Sequence, residues 1–303
     1  MAHESVLLKE ILEGFSFEEG DIYLDATVGS GGHMEAVWNK MSNRVELYGI
    51  DADETSVDIT RERLNLAGAK PRLAVLNFRN IDKILEIFSI KNPTKILFDL
   101  GWCSDQLDTP EGKIGRGFSF QRNEPLIMTF KNDINKEDTT AYDIVNKWDE
   151  KNLADIIYGY GEEKYARRIT RAIVENRKRE IIKTSDQLAK IIKEAVPVFY
   201  RFGRIHPATK TFQAIRIAVN DELQTLKIGL QKAFCILKRG GIIGVISFHS
   251  LEDRIVKQFF RNLANKEWGK ILNKKPIVPS NKEIEINSRA RSAKLRFLKK
   301  ISG

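Results

Sequence analysis

Cysteine is scarce in this chain. Cys103 and Cys235 are the two among 303 residues, and their separation excludes a disulfide framework and any thiol pair at metal-ligand spacing. The four histidines, His3, His33, His206 and His249, are as scattered, so no structural zinc is expected. Long apolar runs are also missing. The longest, residues 241–248, falls far short of the ~20 residues that a membrane-spanning helix needs. Residues 1–5, Met-Ala-His-Glu-Ser, carry neither a basic leader nor an apolar signal core. These absences predict a cytoplasmic protein with no metal and no membrane contact.

The composition is that of an ordinary globular protein, 42% hydrophobic and 30% charged. Its length suits one large or two modest domains. Fifty basic against 41 acidic residues leave a net charge of +9, which is compatible with a polyanionic partner but does not specify one.

Strand-like and helix-like segments alternate over the first hundred residues. Strands are predicted at 22–27, 45–50, 72–76 and 95–100, and helices at 33–41, 55–66 and 81–88. Such alternation argues for a parallel sheet covered on both faces. From about 104 to 206 helical periodicity takes over. In 163–179, Tyr165, Ile169, Ala172 and Ile173 share one side, while Lys164, Arg167, Arg168, Arg171 and Lys178 lie beside or opposite it. The alternation then resumes, with a helix over 211–230, a buried strand at 242–248 and a last strand at 293–299. The predicted architecture is therefore an α/β doubly wound domain, residues 1–104 and 207–303, interrupted by a helical insertion, residues 105–206.

In doubly wound sheets ligands bind beyond the carboxyl ends of the strands. There the sequence places Asp25 with Gly29-Ser30-Gly31-Gly32-His33, then Asp51, Phe78 and Asp99. Glycines admit a close backbone approach. Asp51 follows Gly31 by the ~20 residues at which a carboxylate accepts from ribose hydroxyls. Phe78 can stack on adenine. The dinucleotide fingerprint fails, because Met34 holds its third glycine position, and no Walker-type loop is present. A carboxylate beside the turn repels pyrophosphate and suits a ligand bearing an ammonium and a sulfonium, which favours S-adenosylmethionine over a nicotinamide cofactor. A plainer reading stays open: the glycines form turns, and Asp25 and Asp51 cap the helices that follow. Ser250 with Asp253 likewise has the spacing of a capping box.

Several longer strings carry a specific resemblance. They are His3-Glu4-Ser5-Val6-Leu7-Leu8, Asp25-Ala26-Thr27-Val28-Gly29-Ser30-Gly31-Gly32-His33, Gln106-Leu107-Asp108, Arg116-Gly117-Phe118-Ser119-Phe120, Tyr160-Gly161-Glu162-Glu163, His206-Pro207-Ala208-Thr209-Lys210-Thr211-Phe212-Gln213, Phe248-His249-Ser250-Leu251-Glu252-Asp253-Arg254 and Ser288-Arg289-Ala290-Arg291-Ser292. In this order they resemble the bacterial small-subunit (16S) rRNA cytidine-N4 methyltransferase family, also called MraW, over essentially the whole chain.

The resemblance implies a class I Rossmann-like methyltransferase sheet, with the insertion acting as a substrate-recognition domain. It implies that Gly31, Gly32, His33, Asp51, Phe78, Asp99 and Gln106 line an S-adenosylmethionine pocket. The substrate it implies is a decoding-centre cytidine of the small ribosomal subunit. Asp99 is the expected acceptor at the reacting amine, with Ser104 and His249 as further catalytic candidates. RNA phosphates are expected against Arg167, Arg168 and Arg171, and against Arg289, Arg291, Lys294 and Arg296. Homodimerisation is left open. The chain departs from the family at Gly101-Trp102-Cys103-Ser104 and at Ile127 and Thr129, where the family carries an acidic and a basic residue. That keeps a second reading in view, a catalytically idle rRNA-binding or ribosome-assembly factor on the same fold.

Overall fold

A computed structural model describes residues 5–100, 115–131, 134–135, 137–203 and 205–302. It groups the chain into two units, Met1–Cys103 with Leu223–Gly303, and Ser104–Glu222. The predicted helix over 211–230 is two helices, Thr209–Asn220 and Glu222–Ile236, separated by Asp221 at φ 47°. The first packs against Ala141–Lys147 and Glu150–Gly159, so residues 207–222 fall in the helical unit rather than in the returning sheet.

Among the described residues the first unit is built on seven strands: β1 Ile22–Asp25, β2 Glu46–Asp51, β3 Arg72–Val75, β4 Lys95–Asp99, β5 Ile242–Ser247, β6 Gly269–Ile271 and β7 Lys294–Lys300. Their order is β3-β2-β1-β4-β5-β7-β6. β1 to β5 pair in parallel, and β7 runs antiparallel between β5 and β6. This is a class I Rossmann-like α/β sheet, its 3-2-1-4-5 order reversing direction beside β1. β6 was not foreseen, since three residues carry no periodicity to read.

Alternation sends successive side chains to opposite faces. Ile22, Leu24, Tyr48, Ile50, Ile96 and Phe98 enter one core with Leu226, Leu230 and Phe260. Tyr23, Leu47, Leu97 and Ile246 enter the other with Ile11, Met34, Val37 and Leu64. Both faces are covered, as a parallel sheet requires.

Packing on the second face leaves little slack. Gly14 lies in the helix Leu8–Phe15, and a Cβ there would stand 2.2 Å from Cε2 of Phe297. That ring is 2% exposed and edge-on to Phe15 at 5.3 Å. Alanine is favoured over glycine in a helix by about 1 kcal/mol, but overpacking a core costs about 1–3 kcal/mol, and a clamped ring cannot yield. Gly14→Ala is therefore expected to destabilise the protein by about 1–2 kcal/mol, read as a lower urea midpoint at unchanged slope. A raised midpoint would show that the ring moves aside.

In the helical unit, Thr140 with Asp143 and Thr184 with Gln187 form capping boxes at the starts of Ala141–Lys147 and Ser185–Ala195. The helix Ala166–Arg179 buries Ala166, Ile169, Thr170 and Ile173 and exposes Arg167, Arg168, Arg171 and Lys178. It starts at Ala166 rather than at 163, because Glu163 is buried and accepts the Tyr165 N–H at 2.8 Å. No helix among the described residues is long and apolar enough to cross a membrane.

Candidate active site

The parity of the sheet builds this site. On β1, Tyr23 and Asp25 face the same side, as do Leu47, Gly49 and Asp51 on β2 and Leu97 and Asp99 on β4. β1 lies between β2 and β4, with Asp25 in register with Gly49 and with Leu97. Three aspartates thus end three adjacent strands on one face. The turn after β1 closes beside them: Val28 N–H donates to Ile50 O at 3.1 Å and Gly31 N–H to Val28 O at 2.8 Å. Gly29 and Gly31 take φ 51° and 80°, a region L side chains rarely enter.

Each aspartate is held differently. Asp25 is buried, and it accepts from Thr27 N–H at 3.0 Å and from the Tyr23 hydroxyl at 3.1 Å. Burial pushes its carboxyl up to about 6, against the opposing pull of His33. Burial likewise raises Asp51 to about 6, although it accepts from Gly29 N–H and Asp53 N–H, each at 3.0 Å. Asp99 keeps its side chain 20% exposed, and its backbone N–H donates to Thr27 Oγ1 at 2.7 Å. That bond ties the end of β4 to the turn after β1.

His33 joins the group from the helix Gly32–Met41. Its Nε2 lies 3.0 Å from Val6 O, and its Nδ1 lies 3.6 Å from Asp99 Oδ2. A carbonyl only accepts, so Nε2 carries the proton and Nδ1 faces Asp99. Burial holds the imidazole below its ordinary value, with Asp25 pulling the other way. The ring is thus neutral at pH 7.

The capping reading fails for both buried aspartates. Asp53 caps the helix Glu54–Leu66, and Gly31 stands at the N-cap of Gly32–Met41 with no side-chain cap. Gly31 and Gly32 have a packing reason to be glycine: a Cβ would come within 3.0 Å of Thr60 Cγ2 and 2.0 Å of Ser5 Oγ respectively. Phe78 is half-buried, edge-on to Phe98 at 5.6 Å, and a Cβ on Gly229 would stand 2.7 Å from its ring. Ser104 and Gln106 lie outside the described residues, as does the Gly101-to-Ser104 departure.

Beyond β5 the structure corrects the sequence reading. His249, not Ser250, is the N-cap of Ser250–Asn265, and its partner is Glu252 rather than Asp253. His249 Nδ1 accepts the Glu252 N–H, while Glu252 Oε2 accepts from Phe248 N–H and His249 N–H. Asp253 instead holds Arg296 at 2.7 Å and Lys294 at 3.5 Å. Arg296 is buried, so it is committed to this pair and not to phosphate.

In the helical unit, the Asn220 side chain brackets the Ile127-to-Thr129 departure, donating to Met128 O and accepting from Phe130 N–H. Thr129 is buried, with its hydroxyl accepting the Lys131 N–H. Tyr23 and Thr27 were missed as site residues. The signal for Tyr23 was its spacing of two from Asp25 within one strand.

Comparison with known proteins agrees along the whole length. A protein named ribosomal RNA small subunit methyltransferase H from Sulfurihydrogenibium sp. is 46% identical over 299 residues, covering 99% of each chain. One of the same name from Persephonella marina is also 46% identical over 299 residues and 99% of each chain. The crystal structure of an rRNA methylase from Streptococcus thermophilus aligns over 100% of both chains with a TM-score of 0.45 and 11% identity. The model of the MraW methylase family matches residues 1–301. With that match running through the strands that carry Asp25, Asp51 and Asp99 and through the helical unit alike, the chain belongs to the MraW methylase family.

Proposed function

We propose that this chain transfers a methyl group from S-adenosylmethionine to the exocyclic N4 of a cytidine in the decoding centre of small-subunit rRNA. The observation that carries the reading is the set of three aspartates at adjacent strand ends around the glycine turn. The name borne by the relatives supports the rRNA substrate. The donor set fits the cofactor: carboxylates suit its ammonium, its sulfonium and its ribose hydroxyls. When bound, S-adenosylmethionine supplies a methyl on sulfur that is already an activated electrophile.

The residues of the chain do the rest. Asp51, fixed by two backbone N–H groups, has remaining lone pairs for ribose hydroxyls. Phe78 offers a ring anchored against Phe98. The cytosine amine is a weak nucleophile because its lone pair is delocalised into the ring. Asp99, by accepting an N4–H, returns electron density to nitrogen and orients it. Alignment at about 3–3.5 Å is itself a large part of the rate. The target base must leave its stack to reach this depth. Exposed Arg167, Arg168 and Arg171 on the helical unit suit the flanking phosphates.

The test is transfer of tritium from labelled cofactor to small ribosomal subunits lacking the modification, followed by nucleoside analysis. Label in a single N4-methylcytidine is expected. Cofactor binding without label would favour the idle-factor reading and turn attention to Ile127 and Thr129.

A further inference from the structure

The helical unit exposes aromatic rings that neither core uses. Phe199 is 70% and Phe202 81% exposed, with Val198 beside them at 62%. A cluster of this kind on a surface marks a binding site more often than chance. Here it is also built. Tyr165 and Tyr200 meet edge to face at 4.9 Å, and the Tyr200 hydroxyl donates to Glu163 Oε2 at 2.7 Å. The same buried Glu163 takes the Tyr165 N–H on its other oxygen, so one carboxylate fixes both rings. Burial and that bond hold the Tyr200 phenol above its ordinary value, so it remains a donor. Lys164 Nζ sits 5.0 Å from the Tyr165 ring, 5.2 Å from Tyr200 and 6.0 Å from Phe199. The exposed Arg167, Arg168 and Arg171 continue along the helix that begins next to it.

We propose that Lys164, Tyr165, Phe199, Tyr200 and Phe202 form a stacking platform for unpaired nucleotides of an RNA strand. The surface pairs ring faces with cations, and that pairing chooses among partners. Protein interfaces deplete lysine in their centres, whereas single-stranded nucleic acid offers bases to stack and phosphates to neutralise. A duplex hides its base faces, so the platform selects single strands. The inference rests on RNA being the substrate and assigns part of its hold to residues of the helical unit.

The test uses the full chain and fluorescence anisotropy with two probes, a labelled oligouridine and a blunt RNA duplex of equal length. The double variant Phe199→Ala, Phe202→Ala is expected to bind oligouridine about tenfold or more weakly. Its duplex affinity should stay within about twofold, and Phe199→Trp with Phe202→Trp should restore oligouridine binding. Both positions are exposed, so folding is not at stake, and an unchanged thermal midpoint checks that. Unchanged oligouridine affinity, or equal loss on both probes, would overturn the proposal. So would conversion of a wild-type dimer to a monomer by the double variant, which would make the patch an interface between copies. Methyl transfer by the wild type is recorded separately: its absence sinks the proposed reaction, while the two probes still decide the platform.

Discussion

Asp99→Asn is expected to lower kcat for methyl transfer by about 10²–10³-fold, the usual loss when one preorganised group at the reacting atom is removed. The side chain stays the same size, and the backbone bond from Asp99 N–H to Thr27 Oγ1 does not depend on it. On the proposed reading, what changes is the charge offered to the amine: a carboxylate accepts on both oxygens with a full negative charge, whereas an amide has one neutral acceptor. The contact between His33 Nδ1 and Asp99 Oδ2 matters here. An amide nitrogen in that position would donate to the neutral ring and leave the carbonyl oxygen for the amine, so the expected loss comes from the missing charge and not from a turned side chain. Single-turnover rates with saturating cofactor, beside cofactor affinity by calorimetry, separate the two roles this residue could fill. A large fall in rate with affinity within about fivefold supports the amine-accepting role. An intact rate with weakened cofactor binding would confine Asp99 to the pocket wall.

Asp25→Asn should stabilise the folded protein at neutral pH and do nothing at acid pH. Asp25 has a folded pKa of about 6 against an ordinary 3.8. The folded state therefore holds this proton more tightly than the unfolded chain does. Between about pH 4 and 6 the native protein carries the extra proton, so stability falls as pH rises through that window and stays low above it. A rise of that size corresponds to roughly 3 kcal/mol as an upper figure. Asparagine removes the charge and can keep the local bonds, its oxygen accepting Thr27 N–H and its amide donating to the Tyr23 oxygen. The expected gain is about 1–3 kcal/mol at pH 7, vanishing near pH 4. His33 has the opposite sign: burial lowers it, so its stability contribution is lost as pH falls below its ordinary 6.5. Asp25 pulls that imidazole up, so removing it enlarges the acid-side loss and adds to the fall of the variant's advantage toward pH 4. Urea midpoints from pH 4 to 8 decide the matter, and a difference independent of pH would show that charge burial is not the cause. A position where the wild-type residue destabilises its own fold is the kind found where function sets the choice.

How much of this was legible in the sequence depends on what each feature rests upon. Strands such as Ile22–Asp25 and Lys95–Asp99 were readable because alternation and a following glycine or aspartate are local signals. Their parity then fixes that Asp25, Asp51 and Asp99 share a face. The break at Asp221 was not readable, since a left-handed φ at a non-glycine residue leaves no mark in the hydrophobic spacing. Nor was the start of the 81–88 helix, which is a 3-10 turn over Phe78–Lys83 before Ile84–Ile87. The cap at His249 was misassigned to Ser250 because hydroxyls outrank imidazoles in cap preference, while the bond that decides is made by Glu252. The bond from His33 to Val6 and the pairing of Asp253 with Arg296 join segments far apart in sequence. Neither has a local signature, and both settle which polar groups are already spoken for.

The position of β7 between β5 and β6 governs the order in which this protein can assemble during synthesis. β6 pairs with the sheet only through β7, and β5 has β7 as its second neighbour. Until residues 294–300 leave the ribosome, the nascent sheet ends in an open edge at β5 with Gly269–Ile271 unpaired. The helical unit, contiguous over 104–222, is complete much earlier, by several seconds at bacterial elongation rates of about 5–20 residues per second. A chain that stalls late in translation therefore exposes a strand edge after the insertion has been made, and that edge is where a chaperone or a second nascent chain would first engage it.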